Sequence, residues 1–303
     1  MKPSWIRSTL LDPATHLRTQ KLLRDHGVNT VCEGALCPNQ GECFSRRTAT
    51  FLILGRTCTR ACTFCAIPSE EHPPAPDPQE PGRIAGAAAE LGLKHVVITS
   101  VTRDDLADGG AGQFAAAIGA IRDRSGSRSP VAGAVGELAA GETPVEVLIP
   151  DFGGAPGALG AVLAAGPAVL NHNIETVPRL YPRVRPLADY PRSLALLRLA
   201  REIAPAIPTK SGLMVGFGEQ FDEVVAVMRD LAAAGVGSLT IGQYLQPGLE
   251  SLPVARYWHP EEFEALAAAG RGAGLGRVTA GPLVRSSYRA REAYRPGAGI
   301  LPG

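Results

Sequence analysis

The 303 residues are 45% hydrophobic and 19% charged, a globular composition and not a disordered one. Lys and Arg number 30 against 29 Asp and Glu, a net charge of +1; a protein that neutralises many phosphates is far more basic, so no nucleic-acid partner is expected. Apolar runs stay well short of the roughly 18 residues that span a bilayer, and charges and prolines break up residues 1–24, so no membrane partner, no secretory signal and a cytoplasmic location are expected.

The first feature along the chain is a cysteine triplet, Cys32, Cys37 and Cys43, spaced C-x4-C-x5-C. Residues 48–54 (TATFLIL) follow, β-branched and apolar, and predict a buried strand. Directly after it comes a second triplet, Cys58, Cys62 and Cys65, spaced C-x3-C-x2-C. A reducing compartment disfavours structural disulfides among these six. Zinc sites usually carry four ligands as close pairs. Here neither triplet has a local fourth ligand, and His26 and His72 stand at no ligand-like interval. Three thiolates per site suit cubane iron–sulfur clusters, each with one iron left open. The alternatives are a single six-cysteine zinc cluster, a two-cluster ferredoxin and a secreted disulfide knot. A ferredoxin would be much smaller, with a fourth cysteine per cluster, and a knot conflicts with the expected absence of a signal.

Helix-like segments and apolar strands then alternate: helix 81–91, strand 95–99, helix 113–124, strand 145–149, helix 158–165, strand 168–174, helix 191–203, strand 212–217, helix 219–234, strand 238–244 and helix 260–269. Strands this continuously apolar are those of a parallel sheet covered on both faces. Six β/α units predict an α/β fold, a partial (β/α)6 TIM-like barrel over residues 48–276. An N-terminal extension, 1–47, carries the first triplet, and a C-terminal segment covers 277–303. Loops after the strands build the active site of such barrels, which puts the second triplet at the catalytic end. Residues 125–143, rich in Gly, Ala and Ser, are expected to form a surface insertion.

A strand period of two sets Asn171, Asn173 and Glu175 on one face. Buried groups of that polarity need partners, whether a ligand or an internal network. Thr99, Ser100, Arg103 and Asp104 close a strand at the catalytic end, although Asp104 and Asp105 also suit helix capping. His95 and His172 read as structural histidines. Arg179, Arg183 and Arg185, and again Arg285, Arg289, Arg291 and Arg295, form basic groups that either steer an acidic partner or are simply solvated.

The second triplet resembles the signature of the radical SAM superfamily, and the first is similar to the auxiliary-cluster motif of the lipoyl synthase family. Further stretches similar to that family are Val97–Gly110, Asn171–Pro186, Thr209–Gly216, Ile241–Pro247 and Arg285-Ser-Ser-Tyr288, so the likeness covers roughly residues 30–289. Departures are the 125–143 insertion, Gly218-Glu-Gln-Phe-Asp222 and the glycine-laden tail after Arg295. The resemblance implies a barrel of the radical SAM type with two [4Fe-4S] clusters and S-adenosylmethionine. Cys58, Cys62 and Cys65 would hold the cluster that cleaves S-adenosylmethionine. Cys32, Cys37 and Cys43 would hold the auxiliary cluster, with Ser287 as its fourth ligand. Asn171, Asn173 and Glu175 are then the positions for S-adenosylmethionine.

The implied reaction is a sulfurtransferase step of lipoate biosynthesis. Radical chemistry inserts two sulfur atoms at C6 and C8 of a protein-bound N6-octanoyl-lysine, and the auxiliary cluster donates them. Expected partners are octanoylated lipoyl-carrier domains, namely 2-oxoacid dehydrogenase acyltransferase subunits and the glycine cleavage H protein, and a ferredoxin- or flavodoxin-like electron donor. The alternative is another radical SAM sulfur-inserting enzyme, biotin-synthase-like or a methylthiotransferase; the first triplet's spacing and Ser287 discriminate. An electron-transfer protein would need no barrel and no S-adenosylmethionine, and a zinc module would hold no iron.

Overall fold

The computed structural model describes residues 2–7, 10–125, 142–295 and 299–300. Pro13–Asp25 (α1) starts at Asp12, whose carboxylate accepts from the N–H groups of Ala14 and Thr15. Pro13 suits the first turn, where its missing N–H has no partner to lose. Asn29–Thr30 (β1), Val31–Gly34 (α2) and Gln40–Ser45 (α3) complete the N-terminal extension; Cys32 lies in α2, Cys43 in α3 and Cys37 between them.

The alternating part follows: Thr50–Ile53 (β2), Glu80–Leu91 (α4), Val96–Ser100 (β3), Ala111–Arg124 (α5), Val145–Leu148 (β4), Pro156–Ala164 (α6), Val169–Asn171 (β5), Tyr181–Val184 (α7), Tyr190–Ile203 (α8), Thr209–Val215 (β6), Phe221–Ala233 (α9), Ser238–Gln243 (β7), Pro260–Gly272 (α10) and Arg277–Gly281 (β8). Among the described residues, one sheet runs in the order β1 to β8. β1 pairs antiparallel with β2; every later neighbour is parallel. β8 does not return to β1 in this sheet, so the barrel is open on one side.

All six predicted strands are present, with shifted ends. β8 is a seventh parallel strand that the sequence did not announce, because RVTAG carries one buried apolar residue instead of a run. The expected strand 168–174 stops at Asn171. Beyond it the chain leaves the ladder, Glu175 takes φ +66°, and a single bridge to Leu213 restores contact with β6. Residues 126–141 of the expected insertion lie outside the described residues, as do 296–298 and 301–303 of the tail.

Outward-facing strand residues pack under the helices. Ile84, Phe114, Ile118 and Val162 meet Phe51, Ile53, Val96 and Ile98 on one half. Val224, Val227, Met228 and Leu266 cover Leu239, Ile241 and Val278 on the other. Each such side chain contributes about 1.5–3 kcal/mol on burial. The barrel interior is polar instead: Lys210 Nζ donates to Glu146 at 2.8 Å, with His95 3.5 Å from the same carboxylate. Burial raises the Glu146 pKa, but Lys210 and His95 outweigh it and bring it down to about 2.

After β8 the chain crosses back to the extension. Asn39 Nδ2 donates to the Leu283 carbonyl at 2.6 Å, Tyr288 hydroxyl reaches Glu42 at 3.3 Å, and Arg289 stands 3.6 Å from Glu42. Ala290–Ala293 (α11) and Tyr294–Arg295 (β9), paired with Gly299–Ile300 (β10), follow, and Tyr294 is buried beside Ala168 and Val169. No described helix is long and apolar enough to cross a membrane.

Candidate active site

All six cysteines are free thiols, and all six line one cavity of about 350 Å³ at the C-terminal ends of the strands. The second triplet sits on the loop after β2. Leu54 and Gly55, at φ +68° and +98°, turn the chain off the strand. The loop then folds back on itself, Cys58 N–H donating to the Pro68 carbonyl at 2.9 Å. Neighbouring loops pin it. Arg60 donates to Asp104 after β3 and to Asp151 after β4, Thr63 N–H reaches the Val184 carbonyl after β5, and Leu252 N–H, after β7, reaches the Thr63 carbonyl.

Backbone N–H groups point at the sulfurs. Thr102 and Arg60 donate to Cys58 Sγ at 3.2 and 3.4 Å, and Ile67 donates to Cys65 Sγ at 3.4 Å. Such contacts favour thiolate over thiol and set the potential of an iron–sulfur cluster, so the donor set fits one. Burial dominates the opposite pull: with neighbouring thiols adding to it, the pKa values of Cys43 and Cys65 rise to about 12, and that of Cys32 rises further. Thiols within each triplet thus feel one another's charge. Among the described residues, no three Cys, His, Asp or Glu side chains converge as ligands of one metal ion do.

Between the triplets lies a small polar group. Asn173 Nδ2 donates to Glu175 at 2.9 Å and to Ser286 Oγ at 2.6 Å. Gly212 makes room for them; a Cβ there would stand 2.7 Å from both Asn173 Oδ1 and Ser286 Oγ. Glu175 is half-buried, and the loss of solvation raises its pKa against the opposing charge of Arg185. Ser287 turns the other way, its Oγ accepting from Thr50 Oγ1 at 2.8 Å. Cys32, Cys37, Cys43 and Ser287 therefore share the cavity with Cys58, Cys62, Cys65, Asn173 and Glu175. Asn171 is fully buried but not on the cavity wall, and its amide has no hydrogen-bond partner among the described residues. β5 ends at Asn171, so the period of two does not carry through to Glu175.

Other expectations resolve individually. Thr99 and Ser100 line the cavity, while Arg103 pairs with Asp105 and Asp104 receives Arg60. His172 is a structural histidine, bonded to the Ile149 carbonyl at 2.9 Å and to Ser193 Oγ at 3.0 Å. Of the basic residues, Arg183 and Arg291 are exposed, whereas four others are engaged. Arg179 pairs with Glu223, Arg289 with Glu42 and Glu292, Arg185 turns inward to the carbonyls of Asn173 and Ile174, and Arg285 lines the cavity. Sequence reasoning passed over Thr50, Arg60 and Ser286. Only Arg60 carried a signal, standing between Cys58 and Cys62.

Residues 52–231 match the Radical SAM superfamily. Lipoyl synthase of Chlorobium chlorochromatii is 52% identical over 289 residues, 95% of this chain and 93% of that protein. Lipoyl synthase of Nitratidesulfovibrio vulgaris is 52% identical over 292 residues, 96% of this chain and 92% of its own. Lipoyl synthase 2 of Thermosynechococcus vestitus is 48% identical over 296 residues, covering 96% and 97%. Among solved structures, HydG, a maturase of the [FeFe]-hydrogenase, aligns with a TM-score of 0.57 at 16% identity, over 87% of this chain and 62% of that one. Methylornithine synthase (PylB) aligns with a TM-score of 0.50 at 14% identity, over 96% and 80%. At such identities these structures bear on the fold alone.

Proposed function

The chain belongs to the lipoyl synthase family of the radical SAM superfamily, and from that premise we propose how its cysteines divide the work. The activity is that of a sulfurtransferase acting on an octanoylated carrier protein. Cys58, Cys62 and Cys65 would hold the [4Fe-4S] cluster that works with S-adenosylmethionine. Cys32, Cys37, Cys43 and Ser287 would hold the auxiliary cluster. Bound there, these groups supply one-electron cleavage of the sulfonium, removal of hydrogen at C6 and C8 of the octanoyl chain, and the two sulfur atoms that take their place.

The chain's own residues orient, shield and compensate charge. Arg60, Thr102 and Ile67 fix the second-triplet sulfurs. Asn173 and Glu175 offer an amide and a carboxylate for the ribose and amino groups of S-adenosylmethionine, and Asn171 stands deeper as a reserve of polar capacity. Leu36, Leu52, Ile67, Leu148 and Met214 give the cavity apolar walls, which suit an acyl chain and keep water from reactive intermediates. Residues 1–47 act as the auxiliary-site extension, the barrel runs from residue 48 through β8 rather than stopping at 276, and the segment after Gly281 bears the serine.

The observation that carries this reading is the opening of both triplets onto one cavity, so that a substrate chain held between them faces both. Acyltransferase subunits of 2-oxoacid dehydrogenases and the glycine cleavage H protein are the proposed carriers, a ferredoxin- or flavodoxin-like protein the proposed donor, and the cytoplasm the proposed setting, where thiols stay reduced. Cys58→Ala should abolish 5′-deoxyadenosine formation. Cys37→Ala should preserve it while stopping sulfur insertion. Identical product patterns from the two variants would contradict the division.

A further inference from the structure

Thr50, the first residue of β2, holds Ser287 at the first-triplet site: its Oγ1 donates to Ser287 Oγ at 2.8 Å. It is 6% exposed and lines the same cavity as Cys32, Cys37 and Cys43. Ser287 belongs to the segment after β8, so a region far away in the sequence meets the first barrel strand at one residue.

Cys32 is placed by its own helix: it lies in α2, whose first turn is capped by Thr30 Oγ1 accepting from Glu33 N–H. Ser287 lies in an irregular turn, where its side chain has three staggered choices. Its neighbour Ser286 is already committed to Asn173. A threonine is stiff about χ1, and Thr50 is held in the sheet through Val97 on β3. Its hydroxyl is therefore a fixed point that selects one orientation for Ser287. An oxygen that accepts this bond keeps a further lone pair and its own proton for the cavity.

We propose that Thr50 is a positioning residue of the auxiliary site, fixing the orientation in which Ser287 Oγ joins a three-thiol, one-oxygen ligand set. The inference rests on Ser287 being the fourth ligand. Groups that orient metal ligands are typically worth 10–100-fold in metal affinity or activity.

The test uses the full chain with Cys58, Cys62 and Cys65 all changed to Ala, reconstituted without oxygen so that one cluster assembles. The readouts are iron release to a chelator and the Mössbauer spectrum. Thr50→Val, nearly isosteric and suited to a strand, should release iron roughly 10–100-fold faster, with an altered signal from one iron; Thr50→Ser, which keeps the hydroxyl, should restore the parent behaviour. If Thr50→Val does not fold, Thr50→Ala set against Thr50→Ser gives the same contrast. Ser287→Ala is the reference and should also release iron faster. If Ser287→Ala is fast while Thr50→Val matches the parent, or if Thr50→Ser is as fast as Thr50→Val, the inference is overturned and the Ser287 assignment survives. If Ser287→Ala itself matches the parent, the assignment falls and takes the inference with it.

Discussion

Arg60 Nη2 donates to Asp151 Oδ1 at 2.6 Å, which ties the residue between Cys58 and Cys62 to the loop after β4. The side chains are 6% and 1% exposed. Hydrogen bonds to Asp104 and Asp151 outweigh burial and raise the Arg60 pKa, while the same contact lowers that of Asp151 against its own burial. Removing Arg60 leaves the buried Asp151 only the longer contact of Arg192, at 3.4 Å. Arg60→Met should therefore cost about 3–5 kcal/mol, read from denaturant unfolding of the iron-free protein. Asp104 is 42% exposed, so Asp104→Asn should cost no more than about 1 kcal/mol. Equal effects would mean that Asp151 is not the anchor.

His172 is held neutral by burial, which lowers its pKa from 6.5 to about 4 despite the Ile149 carbonyl that favours the charged ring. A folded-state pKa below the unfolded one gives stability that is complete above pH 6.5 and is lost as the pH falls through 6.5 toward 4. His172→Asn should be less stable at neutral pH and should lose less on acidification across that window. Parallel stability curves for the two proteins, measured by thermal unfolding, would remove His172 as the titrating group.

Gly212 faces the interior with no positive φ to explain it; space is the reason. A methyl group there would press on Asn173, Ser286 and Thr240, the last at 2.9 Å. Gly212→Ala should overpack the site by about 1–3 kcal/mol and slow 5′-deoxyadenosine formation. Iron held by the first triplet should be retained, because the methyl group would press on Ser286, whereas Ser287 is held separately by Thr50.

Two cubanes require about eight irons per chain after anaerobic reconstitution. Changing either cysteine triplet to alanine should leave about four. A loss of all iron on removing one triplet would show that the six thiols act as a single site.

The parallel strands were legible because burial on both faces leaves an apolar run, as in HVVIT and VEVLI, and because helices of ordinary length separate them. β8 was not, since RVTAG has one buried apolar residue and no apolar run. The gathering of the six cysteines at one cavity was legible from their spacing, as short loops must wrap a small object. Ser287 was not: a serine pair in a polar tail has no periodicity, and only likeness to a family singles it out. Arg185 and Arg285 were misleading for the opposite reason. Charge in a sequence suggests solvent, whereas both turn inward here and their depth is set by residues distant in the chain. Thr50 looks like any β-branched strand residue until its partner Ser287 is known.

The most direct measurement is the intact mass of an octanoylated carrier domain incubated without oxygen with the reconstituted protein, S-adenosylmethionine and a low-potential reductant. The predicted result is a carrier heavier by two sulfur atoms in place of hydrogen, at no more than about one equivalent per chain, because the sulfur comes from the protein's own auxiliary cluster. A carrier of unchanged mass, from protein shown to hold iron on both triplets, would contradict the account.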